Sequence, residues 1–164
     1  MAASSQTAML AADRAAGDNY VLTTYEQDLV NYDVNNTDIN KVLAANHFSA
    51  YKGLHVRIWD RGSSMYYGGT IYLSKDDRFA GTLLHEYGHY IQVKQLGIIR
   101  WHIYVAIPSL ISCYTDPNSH DRKPFEMHAS LIGGAYGHKQ FDLNSQEIEQ
   151  AQAWFAKAMG SRAR

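Results

Sequence analysis

The stretch Thr82–Gln92, TLLHEYGHYIQ, places His85 and His89 four residues apart, with Glu86 directly after the first histidine. On a helix, residues i and i+4 share a face. Two neutral imidazoles so placed can both reach one Zn²⁺, at a Zn–N distance of about 2.0–2.1 Å. Glu86 then points its carboxylate at the edge of the same site, where it can take a proton from a water that the ion acidifies to a pKa of roughly 7. The flanking Leu83, Leu84, Tyr90 and Ile91 are uncharged, as a buried helix requires. Gly88 lies mid-helix, where glycine costs about 1 kcal/mol relative to alanine, which predicts a close approach by another element. Asp76 and Asp77 suit the positive end of this helix. Gly97 is placed to end it as a left-handed cap, with Ile98 behind it for an apolar contact.

A catalytic zinc site holds three protein ligands and one open position. A third histidine in the pattern H-E-x-x-H-x-x-G-x-x-H would need Gly at position 92 and His at 95; Gln92 and Gln95 stand there. The remaining common solution is a glutamate on a second helix downstream. Glu126 fits, in the first turns of a helix that Pro124 opens and Gly133-Gly134 stops. Ser130, four residues on, shares its face and can accept a hydrogen bond from a ligand imidazole. His120 is the alternative third ligand, Asp121 is chemically able to serve, and His128 lies roughly on the opposite side of the helix from Glu126. For His47, His55 and His102 we expect capping, surface exposure or a satisfied hydrogen bond.

Elsewhere the pattern is less sharp. Residues 8–16 and 20–32 read as helical, Asp33-Val34-Asn35-Asn36 as a turn, and 38–47 as a helix capped by Thr37. Leu54–Trp59 alternates like a strand. Met65–Ser74 returns as an extended segment, interrupted by Gly68-Gly69. Glycine there marks either a hairpin bulge or a backbone approach. In the second case Gly69, Thr70, Ile71 and Tyr72 form an edge strand that pairs with an extended peptide. Ile98–Ile107 is expected to be extended or irregular, and Pro108 to open a short helix through Ser112. Asn144 or Ser145 caps a last helix that ends at Gly160.

At 164 residues the chain is expected to be one domain: residues 1–50 helical, 54–137 the core, 144–160 a C-terminal helix. Lys+Arg number 15 against 16 Asp+Glu, with no run of like charge. That argues against a nucleic-acid or membrane partner. The first residues carry no basic leader and no continuous apolar segment, so no signal peptide is expected. The apolar stretch Ile98–Tyr114 is interrupted by Arg100, His102 and Pro108 and is short for a bilayer span. It reads as core, and Cys113 within it as a buried, inert thiol.

The segment Gly69-Thr70-Ile71-Tyr72-Leu73-Ser74, the run Thr82–Gln92, Ile107-Pro108-Ser109-Leu110-Ile111-Ser112 and the later His120…Phe125-Glu126-Met127-His128-Ala129-Ser130 together resemble bacterial zincin-type metallopeptidase domains. Related domains occur at the C-terminal ends of RHS-repeat and polymorphic-toxin proteins. The similarity covers residues 54–137. It implies an α+β zincin-like fold, with a small mixed sheet whose antiparallel edge strand lies above the metal helix. It also implies the gluzincin scheme: one Zn²⁺ held by His85, His89 and Glu126, with Glu86 as general base. A protein or peptide substrate, a toxin or secreted-effector role and excision from a larger precursor follow from the same resemblance. Relatives often carry Asp or Asn where this chain has Ser130, and a hydroxyl is the weaker acceptor.

Peptide-bond hydrolysis needs a further donor for the oxyanion. Tyr136 and His138, just past the Gly133-Gly134 break, are the candidates, with Tyr114 and His120 beside them. The competing expectations are a non-catalytic domain in which zinc locks two helices together, and a zinc hydrolase of another substrate. Nucleotide loops, a Gly-x-Ser-x-Gly elbow and a cysteine–histidine nucleophile pair find no match.

Overall fold

A computed structural model of the chain describes residues 32–33, 54–60, 62–74, 76–77 and 79–160. The helices expected at 8–16 and 38–47 lie outside them, as does His47. Within them the protein is α+β: a small mixed sheet packed on a group of helices.

The sheet holds β1 (Tyr32–Asp33), β2 (His55–Trp59), β3 (Met65–Tyr67) and β4 (Thr70–Ser74), in the spatial order β1-β2-β4-β3. β2 and β4 run parallel, and β1 and β3 flank them antiparallel. Tyr32 and Asp33 therefore pair with Val56 and His55 and do not belong to a helix and a turn. Partners on a neighbouring strand override the weak helical periodicity of that stretch. Gly68 and Gly69 both have positive φ, 59° and 84°. That backbone suits a two-residue hairpin loop, so Met65–Ser74 is two strands. The edge-strand expectation for Gly69, Thr70, Ile71 and Tyr72 is corrected accordingly. Gly69 is in the turn, and Thr70–Tyr72 are in β4, bonded on both sides. The outer, antiparallel strands are β1 and β3.

Helix α1 (Ala80–Leu96) crosses beneath the sheet, with every residue from Gly81 to Tyr90 buried. This burial all round is why its apolar residues show no single stripe. Its start differs from expectation. Phe79 is the N-cap and no side chain caps it; Asp77 instead accepts a hydrogen bond from the Thr82 hydroxyl at 3.0 Å. Gly97 closes the helix with φ 77°, its N–H on the Val93 carbonyl at 2.9 Å. Its ψ of 157° is not that of a left-handed cap, and Ile98 is exposed rather than folded back.

From Ile98 to Thr115 the chain is helical, against the expectation of extended or irregular structure over Ile98–Ile107, and the helix expected from Pro108 to Ser112 lies within it. α2 (Ile98–Trp101) passes through a π-helical turn (His102–Ala106) into α3 (Ile107–Thr115). Pro108 sits in the first turn of α3, and a widened turn ahead of a proline accommodates its missing donor and its ring. Trp101, Val105 and Ser112 are the buried residues of this segment. Ile99, Ile103, Ile107, Leu110 and Ile111 face outward, Ile99 with 74 % of its surface exposed. The stretch is therefore a one-sided cover for the core and not core itself. No described helix is long and apolar enough to cross a membrane.

A 3₁₀ segment (Pro117–Arg122) leads into α4 (Pro124–Gly133), which Gly134 ends in the left-handed region at φ 85°. α1 and α4 form the tightest pair of helices. A Cβ at Gly88 would run into the Ala129 carbonyl, and one at Gly133 into the Leu84 carbonyl and the Gly88 backbone. The close approach that Gly88 predicted is this crossing. α5 (Ser145–Ala158) starts with a complete capping box between Asn144 and Glu147 and covers the far side of α4.

Candidate metal centre

The glycine-to-glycine crossing fixes which faces of α1 and α4 meet, and His85, His89 and Glu126 lie on them. Glu126 Oε2 is 2.8 Å from His89 Nε2 and 3.2 Å from His85 Nε2. All three residues are buried, Glu126 to 1 % exposure, and their ligand atoms lie within 4.8 Å of one another. A buried His85/His89/Glu126 group of this kind can hold a metal ion.

The hydrogen-bond network decides which ring atoms point inward. Gln92 Nε2 donates to the Phe125 carbonyl at 2.8 Å, so Gln92 Oε1 is the atom facing His89 Nδ1 at 2.9 Å. An amide oxygen only accepts. His89 therefore carries a proton on Nδ1 and turns its Nε2 toward a carboxylate oxygen at 2.8 Å. Two lone pairs at that distance need a cation or a second proton between them. Ser130 Oγ lies 2.8 Å from His85 Nδ1 and can hold that ring in the same sense. Phe141 stacks on the His85 ring at 4.8 Å and closes its outer face.

Charges follow from the same geometry. Burial works against a proton on His89, but the neighbouring Glu126 outweighs it and raises the imidazole to about 9. Burial likewise opposes the Glu126 charge, and His89 and His85 overcome it, holding the carboxyl well below its usual range. Glu86 differs: burial dominates and pushes its carboxyl upward, although a backbone hydrogen bond from Tyr66 and the two histidines favour the charge. Its Oε2 is buried and has no hydrogen-bond partner among the described residues. Tyr66 is on β3, and its ring packs edge-on against Tyr90 of α1 and Trp101 of α2. These contacts tie the outer strand to the helix that carries Glu86.

The other expected residues divide. His128 is on α4 but turned aside: it stacks on Phe155 at 4.0 Å, and Gln92 Nε2 lies 3.2 Å from its Nδ1. Burial there, with the nearby His89, lowers it to about 4. Tyr136 packs against the Met127–Leu143–Ala151 cluster. His138 is buried against Gly81, in the first turn of α1, with Nδ1 unpartnered among the described residues. Tyr114 is 82 % exposed. His102 bonds the Ile98 carbonyl at 2.8 Å, a satisfied surface histidine.

His120 does reach the centre, from the 3₁₀ segment, with Nε2 3.4 Å from Glu126 Oε1. Sequence reasoning missed two of its neighbours. Ser112 Oγ is 2.6 Å from its Nδ1, and Cys113 Sγ is 3.3 Å from its Nε2. Cys113 is exposed, not buried. The signal was available in the spacing of Ser112 and Cys113 at the end of a helix followed by a short loop, but only once residues 98–115 are read as helical.

No protein-family model, no curated protein and no solved structure matches this chain.

Proposed function

We propose that the protein is a zinc-dependent peptidase of the gluzincin type. One observation carries the reading: His85, His89 and Glu126 converge while the adjacent Glu86 keeps a buried carboxylate oxygen with no hydrogen-bond partner among the described residues. Two imidazoles and a carboxylate are the donor set of many hydrolytic zinc sites, and His89 Nε2 at 2.8 Å from Glu126 requires a cation or a proton between them. When bound, the ion supplies Lewis acidity, acidifying a neighbouring water and polarising a carbonyl.

The chain's own groups do the rest. Ser130 and Gln92 hold the Nδ1 atoms of His85 and His89 so that both Nε2 atoms face inward. Glu86 takes the proton of the attacking water and returns it to the leaving amine, a role for which a positioned carboxylate is worth about 10²–10⁴ in rate. The Tyr66 N–H orients that carboxylate from the outer strand. Because β3 has no further strand beyond it among the described residues, its open side suits an extended peptide substrate.

The competing reading is a closed, non-catalytic site with His120 as fourth ligand. Against it, His120 faces Oε1 of Glu126, while the other two histidines face Oε2. The test is hydrolysis of a mixed peptide library, with and without chelator, by the wild type and Glu86→Gln. The expected outcome is chelator-sensitive cleavage by the wild type and a loss of at least about 10²-fold in the variant, with zinc content unchanged. Full activity in Glu86→Gln would remove that residue from the role of base, and zinc-loaded protein with no cleavage would favour the closed site.

A further inference from the structure

Both oxygens of Glu126 face histidines, and only one is accounted for by the triad. Oε1 is buried, belongs to a residue 1 % exposed, and has no hydrogen-bond partner among the described residues. His120 Nε2 lies 3.4 Å from it, within ion-pair reach but without hydrogen-bond geometry. The His120 tautomer explains why. The Ser112 hydroxyl donates to the Ser109 carbonyl at 3.0 Å, so its oxygen is left to accept from His120 Nδ1–H at 2.6 Å. A histidine whose other nitrogen is held by a side-chain oxygen is the usual arrangement of a metal ligand. Its Nε2 then has a carboxylate oxygen at 3.4 Å, and the Cys113 sulfur lies beside the same ring, 3.3 Å from Nε2 and 3.6 Å from Nδ1.

We propose that Glu126 Oε1, His120 Nε2 and Cys113 Sγ form a second cation site, with Glu126 bridging it to the triad. This rests on the reading of His85, His89 and Glu126 as a metal centre. Ligands bound at about 2.0–2.3 Å around a tetrahedral ion lie at edge distances close to the two above. The site is looser than the triad, whose three ligand atoms already lie within 4.8 Å of one another. Cys113, on an exposed face of α3, supplies the third donor from beside the His120 ring. On binding, the thiol releases its proton to water as the sulfur–metal bond forms, while His120 binds without a proton change. Sulfur and nitrogen donors select a borderline cation such as Zn²⁺ or Co²⁺ over Mg²⁺ or Ca²⁺. Two ions sharing one carboxylate would lie roughly 3.5–4 Å apart, the separation used by two-metal hydrolases.

Titration of the full chain with Co²⁺, followed by absorption, tests this. Cys113 is the chain's single cysteine, so a thiolate-to-cobalt charge-transfer band in the near ultraviolet reports this site alone. We expect two equivalents to bind, the band to grow with the second, and Cys113→Ser and His120→Ala each to weaken the second equivalent at least tenfold while leaving the first in place. Saturation at one equivalent without the band, or an unchanged second equivalent in either variant, overturns the proposal. Loss of the first equivalent in the wild type would instead overturn the metal centre itself.

Discussion

The side-chain amide of Gln92 decides what can stand between His89 and Glu126. Its nitrogen is committed to the Phe125 carbonyl, its oxygen therefore accepts from the His89 Nδ1–H, and Nε2 is left opposite a carboxylate. Ser130 faces His85 in the corresponding place. Outer partners of metal-binding histidines typically account for about 10–100-fold in affinity. We therefore expect Ser130→Ala to weaken zinc binding by that factor, and Gln92→Met to do the same, measured by competition with a chromophoric chelator. Unchanged affinity in both would mean that the rings are oriented by packing, for instance by Phe141 on His85. At this scale the sequence was informative about α1 and α4: the four-residue spacings of His85 with His89, and of Glu126 with Ser130, are helical face relations. It was silent on Gln92, which lies three residues from His89 and acts through a carbonyl 33 residues away, and wrong on Cys113, whose exposure depends on the path of a different helix.

At the scale of elements, the α1–α4 crossing positions the centre. Gly88 and Gly133 let the two backbones touch, and no side chain larger than hydrogen fits at either place. Gly88→Ala would improve helix propensity in isolation, yet the added methyl meets the Ala129 carbonyl. We expect net destabilisation of about 1–3 kcal/mol, as for overpacked cores, read from denaturant unfolding, together with weaker metal binding. A more stable Gly88→Ala protein would mean that the helices are further apart than described. Gly88 could be read as a contact point because glycine is costly in a helix; its partner could not, because the carbonyl of Ala129 leaves no mark on the sequence. The segment from Ile98 to Ile107 was misread for a physical reason, whereas the helix that Pro108 announced is present. The segment's β-branched residues and the alternation of Trp101, Ile103, Val105 and Ile107 imitate a strand, and the π-turn shifts the helical phase just where the 3.6-residue period would have shown. The hairpin was half legible: Gly68-Gly69 marked a turn, but strand order is set by pairing across the sheet, so β4 came out interior and β3 at the rim.

Over the whole molecule, the core and the apolar surface separate cleanly, although both are rich in leucine and isoleucine. Leu83, Leu84, Ile71 and Leu73 are fully enclosed, whereas Ile99, Ile103, Ile107 and Leu110 lie outside. Hydropathy alone does not tell these groups apart, because which face of a helix is covered depends on its neighbours. The consequence is measurable: Leu84→Ala should cost about 2–5 kcal/mol and Ile99→Ser no more than about 0.5 kcal/mol in the same unfolding assay. Equal costs would mean that the outer face of α2 and α3 is covered in solution. The central claim, that these enclosed helices grip one ion through His85, His89 and Glu126, is tested most directly by anomalous diffraction at the zinc edge from crystals grown with zinc. The account predicts a peak at bonding distance, about 2.0–2.2 Å, from both histidine Nε2 atoms and Glu126 Oε2. Zinc-grown crystals with no peak between those three atoms, or with Glu126 turned out to solvent, would contradict it.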